Sequence, residues 1–318
     1  MAGMLGMKVW VGTIGLFLAG GLVGPAVANS VQPVAPAEPQ RFYDWCMLPQ
    51  KSAAVKATVE ALFWAAGTKR CERAAQYLVK QEVLDLTGLG VRDLRPIAGL
   101  PQVKRLVLDR NPITDLAPLG ALKELQVLSL NQSSLRRLDG VERIGGLQAL
   151  ALDRTLVRDL GPIRELGDLR ELSARGDRLR SIAVLADLKR LRYLALEQNL
   201  IEELTPLTFL TELEELHLAS NVVRGIAPLS GLTKLQVLRL NSNPIEDLEP
   251  LQSLRNLKQL ELLGILAKNN PCPPMPKGGT CVYYREPKLG EVVVPDFSPA
   301  PIEELPTPEI TPKTPPKS

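Results

Sequence analysis

Aromatic residues make up only 4% of this 318-residue chain: three tryptophans, five tyrosines and five phenylalanines. A conventional globular core takes much of its buried area from such side chains. Their scarcity argues for many thin, similar layers instead of one wide centre. It also speaks against a glycan-binding surface, which needs several aromatics to stack on sugar rings. An excess of either charge is lacking too, with 38 Lys and Arg against 35 Asp and Glu, a net of +3. The two signs alternate along the chain. Strong phosphate binding needs a clustered basic face, so no nucleic-acid partner is expected. There is one histidine, His217, and no cysteine lies between residues 72 and 271. With no CxxC spacing, structural zinc is disfavoured, and neither a metal nor a cofactor is expected.

What is present is leucine, and it recurs. Copies of 22 residues begin at Gln81, Val103, Leu125, Leu147, Leu169, Leu191, Leu213 and Leu235, and a truncated ninth begins at Leu257. Their shared pattern is LxxLxLxxNxIxDLxPLxxLxx. Positions 4 and 6 are apolar with a polar or small residue between them, the period of a strand. Position 9 carries Asn111, Asn199, Asn221 and Asn243, whose side chains can bond the backbone of a neighbouring turn. Ser133, Thr155 and Asp177 replace them in the middle copies and are expected to accept the same bond. Pro at position 16 fixes φ and stops a long helix, so a short 3₁₀ turn or helical stub should carry the return leg. One copy cannot bury its apolar face alone, but a stack can. Gln81 and Ala174 are the weak points of that face.

The flanks differ. The apolar stretch Val9–Val27 follows Lys8 and ends in Ala26-Val27-Ala28, which reads as an export signal cleaved before Asn29. The alternative is an uncleaved anchor, since the run is just long enough to span a bilayer. Lys51–Ala66 has helical spacing, Gly67 suits a helix end, and Thr68 could cap a second helix to about Lys80. The cysteines form two local pairs, Cys46 with Cys71 and Cys272 with Cys281. In an oxidising compartment this reads as two disulfides. The expected organisation is a signal peptide over 1–28, a linker over 29–40 and a helical cap over 41–80. Repeats follow over 81–267, a short closed C-terminal cap over 268–290, and a disordered Pro-rich tail over 291–318.

Copies such as LQVLRLNSNPIEDLEPLQSLRN resemble the internalin-type subclass of bacterial leucine-rich repeats. Trp45-Cys46, Ala66-Gly67-Thr68 through Cys71, and the closing Asn270-Pro271-Cys272 through Cys281 also resemble exported leucine-rich-repeat proteins of cyanobacteria. The resemblance covers roughly residues 41–284. It implies an α/β solenoid: a horseshoe with one curved parallel sheet, capped at both ends, whose concave side grips a protein partner. The chain departs from internalins after the repeats. No immunoglobulin-like domain follows, and Leu305-Pro306-Thr307-Pro308 is not a sortase signal, so wall anchoring and host-cell adhesion are not implied.

Positions 3, 5 and 7 of each copy should face the concave side. Position 5 is small in the middle copies (Ser129, Ala151, Ser173, Ala195) and becomes His217, Arg239 and Glu261 toward the end. Tyr193 is the single aromatic on this face. The candidate partner-binding set is Glu171, Arg175, Tyr193, Glu197, Glu215, His217, Arg239 and Asn241. His217 and Glu215 are too few for a metal, and Ser173 or Ser220 could serve His217 as a nucleophile only by proximity. The plainest expectation for His217 is an exposed, freely titrating ring. Asp109-Arg110 and Asp153-Arg154 read as a charge ladder of small energy. The function expected is non-enzymatic protein recognition by an exported monomer, free of the membrane once its signal is cleaved. The competing reading is a structural or adhesive envelope protein that uses its convex face, caps or tail.

Overall fold

The computed structural model describes residues 41–265 and 272–283. The signal, linker and tail assignments, and parts of the C-terminal cap, lie outside the described residues. Three helices open the described chain: α1 (Phe42–Met47), α2 (Ala53–Ala66) and α3 (Cys71–Leu78). Ser52 caps α2 by accepting from the Val55 N–H at 3.2 Å, and Gly67 ends it at φ 63°, where the absence of a Cβ removes the steric cost. One expectation is corrected here, and one helix is added. Thr68 does not cap the next helix: α3 begins at Cys71 after Arg70, and the Thr68 hydroxyl instead accepts from the Arg70 N–H within the loop. The short α1 had no sequence signal of its own, because its Phe42, Trp45 and Cys46 are buried by tertiary contact.

The Cys46–Cys71 disulfide, with Cα atoms 5.7 Å apart, joins α1 to α3 across 25 residues. A loop of that length stabilises by roughly 3–4 kcal/mol in the chain-entropy view. The helices bury Val55, Val59, Leu62, Ala74 and Leu78 in a core continuous with the repeats. The cap meets the first repeat closely. A Cβ added at Gly99 would lie 2.5 Å from the Phe42 nitrogen, so only glycine allows α1 to seat there.

Ten parallel strands then follow in chain order within one sheet. They are β1 (Val83–Asp85), β2 (Arg105–Val107), β3 (Val127–Ser129), β4 (Ala149–Ala151), β5 (Glu171–Ser173), β6 (Tyr193–Ala195), β7 (Glu215–His217), β8 (Val237–Arg239), β9 (Gln259–Leu262) and β10 (Thr280–Tyr283). The pairing repeats the sequence period, with Leu84 opposite Leu106 and so on to Leu238 opposite Leu260. The inward-facing leucines of positions 4 and 6 are almost wholly removed from solvent. Each fully buried side chain contributes on the order of 1.5–3 kcal/mol, which is how such short strands persist.

The return legs match the expectation from proline. The first is a helical stub, α4 (Arg95–Ala98), and the later ones are 3₁₀ turns such as Ala117–Ala121 and Thr205–Phe209. Where Pro is missing in the third copy, Gly140 stands at φ 97°, and an added Cβ would come within 2.7 Å of Ala117. The strand β10 is an addition to the sequence reading. The segment closed by Cys272–Cys281 was expected only to seal the last layer. Its Thr280–Tyr283 run pairs in parallel with β9 and extends the sheet.

The position-9 ladder holds in part. Asn111, Asn199, Asn221 and Asn243 each accept an N–H from the preceding copy and donate to two buried carbonyls. For Asn221 these are the Ile201 N–H at 3.0 Å and the Leu196 and Leu218 carbonyls at 2.9 Å. Of the three replacements only Asp177 accepts from the preceding copy, and its donor is the Thr155 hydroxyl. Thr155 accepts from Val157 in its own turn and donates its hydroxyl to Asp177 Oδ1 at 2.9 Å. Ser133 Oγ and Asp177 Oδ2 are buried with no partner. A hydroxyl is too short to span between turns, and a carboxylate has no N–H to offer the carbonyls.

Candidate partner-binding surface

The open side of the sheet carries the position-3, 5 and 7 side chains, and the structure draws five of the expected residues into one network. Arg175 is its hub. Its Nε lies 2.9 Å from Glu197 Oε2, its Nη2 donates to the Tyr193 hydroxyl at 2.6 Å, and its Nη1 is 3.9 Å from Asp153 Oδ2. Tyr193 packs edge-on against His217, with centroids 5.3 Å apart and planes at 69°. His217 Nδ1 is 3.3 Å from Glu197 Oε1 and Nε2 is 3.7 Å from Glu215 Oε2. Neither ring nitrogen is aligned for a full hydrogen bond.

The exposed histidine expected from the sequence is therefore a buried one. Only 4% of His217 reaches solvent, because the Tyr193 ring and two carboxylates close over it. The reach of Arg175 and Tyr193 toward each other also covers the floor between them, and Ala195 is buried. Burial shapes the electrostatics. It pushes the Tyr193 phenol up, against the pull of the Arg175 charge and with the help of Glu197 and Glu215. Burial likewise pushes the Glu197 carboxyl up, but His217, the backbone and the Arg175 charge outweigh it, and the group sits below the ordinary range. Arg175 is held above its ordinary value, its desolvation overcome by Glu197, Tyr193 and Asp153. Such a network fixes rotamers before any partner arrives.

The other candidates stand apart. Arg239 pairs with Glu261 at 3.0 Å, and Asn241 donates to the same carboxylate at 2.8 Å. Glu171 sits beside Tyr193 in register and is exposed. Its side chain has no hydrogen bond or ion pair among the described residues. Ser173 donates its hydroxyl to Asp153 and not to His217, so the proximity of this serine to the imidazole does not make a nucleophile–base pair.

The supposed Asp-Arg ladder is corrected as well. Asp109 accepts from Ser129 Oγ at 2.6 Å and from the Asn131 N–H at 2.9 Å. Asn131 Oδ1 accepts from the Asp153 N–H at 2.7 Å, and Asp153 accepts from Ser173 Oγ and the Arg175 N–H. Position 7 thus ties one strand end to the next copy, while Arg110 and Arg154 make no ion pair with these aspartates. Beside this row runs a trough of about 540 Å³ spanning the second to seventh copies. Sequence reasoning missed it. The one available signal was the polar residue kept at position 8.

A family model described as two copies of the leucine-rich repeat matches residues 211–253. No curated protein sequence matches the chain. Among solved structures, internalin C2 of Listeria monocytogenes is 27% identical with a TM-score of 0.58, over 67% of this chain and 92% of that one. An internalin (inlF) from the same organism is 20% identical with a TM-score of 0.50, over 74% and 82% of the two chains. A plant peptide hormone receptor, RGFR1 in complex with RGF2, is 21% identical with a TM-score of 0.50, over 61% and 34%. The last two likenesses show the shared fold alone. The repeats are leucine-rich repeats of the internalin type, in a capped solenoid. The cyanobacterial part of the resemblance is not shown.

Proposed function

We propose that this chain is a non-enzymatic recognition module that docks a protein partner on the concave face of its sheet, outside the cytoplasm. The observation that carries the reading is Tyr193, the single aromatic of that face, locked by Arg175 at its hydroxyl and by His217 at its edge. A rigid amphipathic aromatic among small and charged neighbours is the usual anchor of a protein interface. It loses little entropy on binding, because its rotamer is already fixed. Glu171 and Glu215 flank it in register and supply the polar rim. His217, Glu197 and Arg175 act from beneath as positioning residues. Arg239 and Asn241 extend the surface toward the C-terminal end. The two disulfides fit an oxidising compartment.

The test is cross-linked capture from the source cell envelope, using the full chain and a Tyr193→Ala, Glu215→Ala, Arg239→Ala variant whose melting is checked to match. His217 is left intact because its removal would open a buried gap. A partner caught by the native chain and lost by the variant supports concave recognition. The same partners in both would move the binding face to the convex side, the caps or the tail.

A further inference from the structure

The trough beside the position-7 row carries two guanidiniums that have no ion pair among the described residues, and its length fits a stretch of extended chain. Six copies contribute to it, from Asp109 to Ala219 and Ser220. Five strand spacings of about 4.8 Å give it a run of about 24 Å. That is the length of about seven extended residues at ~3.3 Å each.

The formal charges that line it cancel, and what differs between them is which groups already have partners. Three carboxylates and three guanidiniums line it. Asp109 is held by Ser129 and Asn131, Asp153 by Ser173 and Arg175, and Glu197 by Arg175 and His217. On the positive side, only Arg175 is committed. Arg110 and Arg154 are exposed, and their guanidiniums have no ion pair among the described residues. They occupy the same repeat position two copies apart, with matching backbones at φ 56° and 55°, so both side chains leave the sheet at the same angle. Gln132 stands between them and Gln198 beyond, and side-chain amides of this kind can pair with a peptide backbone. At the intervening Gly176 there is no side chain, and an added Cβ would meet Arg154 Cγ at 3.4 Å.

We propose that this trough binds an extended acidic segment of a protein partner. Arg110 and Arg154 take carboxylates two or three residues apart, and Gln132 and Gln198 take the backbone between them. Guanidiniums suit this because they meet carboxylates in paired hydrogen bonds. The inference deepens the reading of the concave face as a recognition surface, and adds a peptide channel beside the Tyr193 anchor.

The experiment is fluorescence anisotropy of a labelled seven-glutamate peptide against the full chain at low and physiological salt, with a seven-lysine peptide as comparison. Three proteins are compared: the native chain, Arg110→Ala with Arg154→Ala, and a charge-matched control, Arg158→Ala with Arg224→Ala, both exposed and outside the trough. The expected result is binding of the glutamate peptide that weakens at least tenfold in the trough variant and less than twofold in the control. Equal weakening in both variants, no binding of the glutamate peptide, or preference for the lysine peptide would overturn the proposal. The Tyr193→Ala, Glu215→Ala, Arg239→Ala protein separates the two ideas. If it loses its envelope partner and keeps the glutamate peptide, the trough stands by itself. If only the peptide result fails, the concave anchor stands without the trough.

Discussion

The sixth to eighth copies and the third to fifth solve the same problem in different ways. Every turn of the solenoid leaves backbone groups buried where the chain leaves the strand, and these must find partners. In the later copies Asn199, Asn221 and Asn243 supply them, one acceptor and a two-armed donor per turn. In the middle copies that ladder lapses to Ser133, Thr155 and Asp177 with one side-chain link left, Thr155 to Asp177, and most side-chain links between copies lie at the strand ends, where Asp109, Asn131 and Asp153 hold the next copy. The two ladders lie on either side of the same turn. A solenoid therefore needs each layer tied to the next, and it can move the tie within the layer. The middle copies keep a cost for this: a hydroxyl and a carboxylate oxygen remain buried without partners.

Restoring the asparagine in the middle should give the largest effect. Burial pushes the Asp177 carboxyl up to about 7, only partly opposed by its bonds with Thr155. A folded-state value above the unfolded one means that the native chain is most stable when the group is protonated. Stability should fall as pH rises from about 4 to about 7 and level off above. From the ordinary 3.8 to about 7, at about 1.4 kcal/mol per tenfold change, the loss is up to about 4 kcal/mol. Asp177→Asn should remove most of it, through an N–H placed to reach the Leu152 and Ala174 carbonyls as in the other copies. Urea melts at pH 5 and pH 8 should show the variant gaining clearly more on the native chain at the higher pH. A gain of equal size at both would mean that ionisation of Asp177 is not the cost.

Breaking the ladder where it is intact comes next. Asn221→Ala leaves the Ile201 N–H without its partner, while the Leu196 and Leu218 carbonyls each keep one, from Asn199 and Asn243. At about 1–3 kcal/mol for a buried group left unpaired, a loss of about 2 kcal/mol is expected, read as a lower urea midpoint with unchanged slope. The smallest effect belongs to Ser133→Ala. The Ser133 hydroxyl has no partner to lose, so chemical denaturation should place the variant within about 0.5 kcal/mol of the native chain, or slightly above it. A loss near that of Asn221→Ala would show that Ser133 carries a tie that the middle copies were not credited with.

The fold was legible because its signal is a period. Leucines at positions 4 and 6 and proline at position 16 fix a strand and a tight return in every copy, whatever the neighbours are. The Tyr193, Glu197 and His217 side chains were legible as a shared face by the same counting. Less legible was β10, because Thr280–Tyr283 is a short run that becomes a strand only when β9 offers an edge. The state of His217 was not legible at all. Its burial depends on Tyr193 from one copy and Glu197 from the same copy closing over it, and register alone does not report where long side chains lean.

The sequence by itself determined the repeat layers and their spacing, since both follow from local pattern repeated at a constant interval. Only the tertiary structure decided which polar groups were committed. Asp109 and Asp153 beside Arg110 and Arg154 look like ion pairs along the chain. In space the aspartates turn to the next strand's N–H and hydroxyl groups, because a fixed hydrogen bond to a backbone held in register outcompetes an exposed, flexible guanidinium.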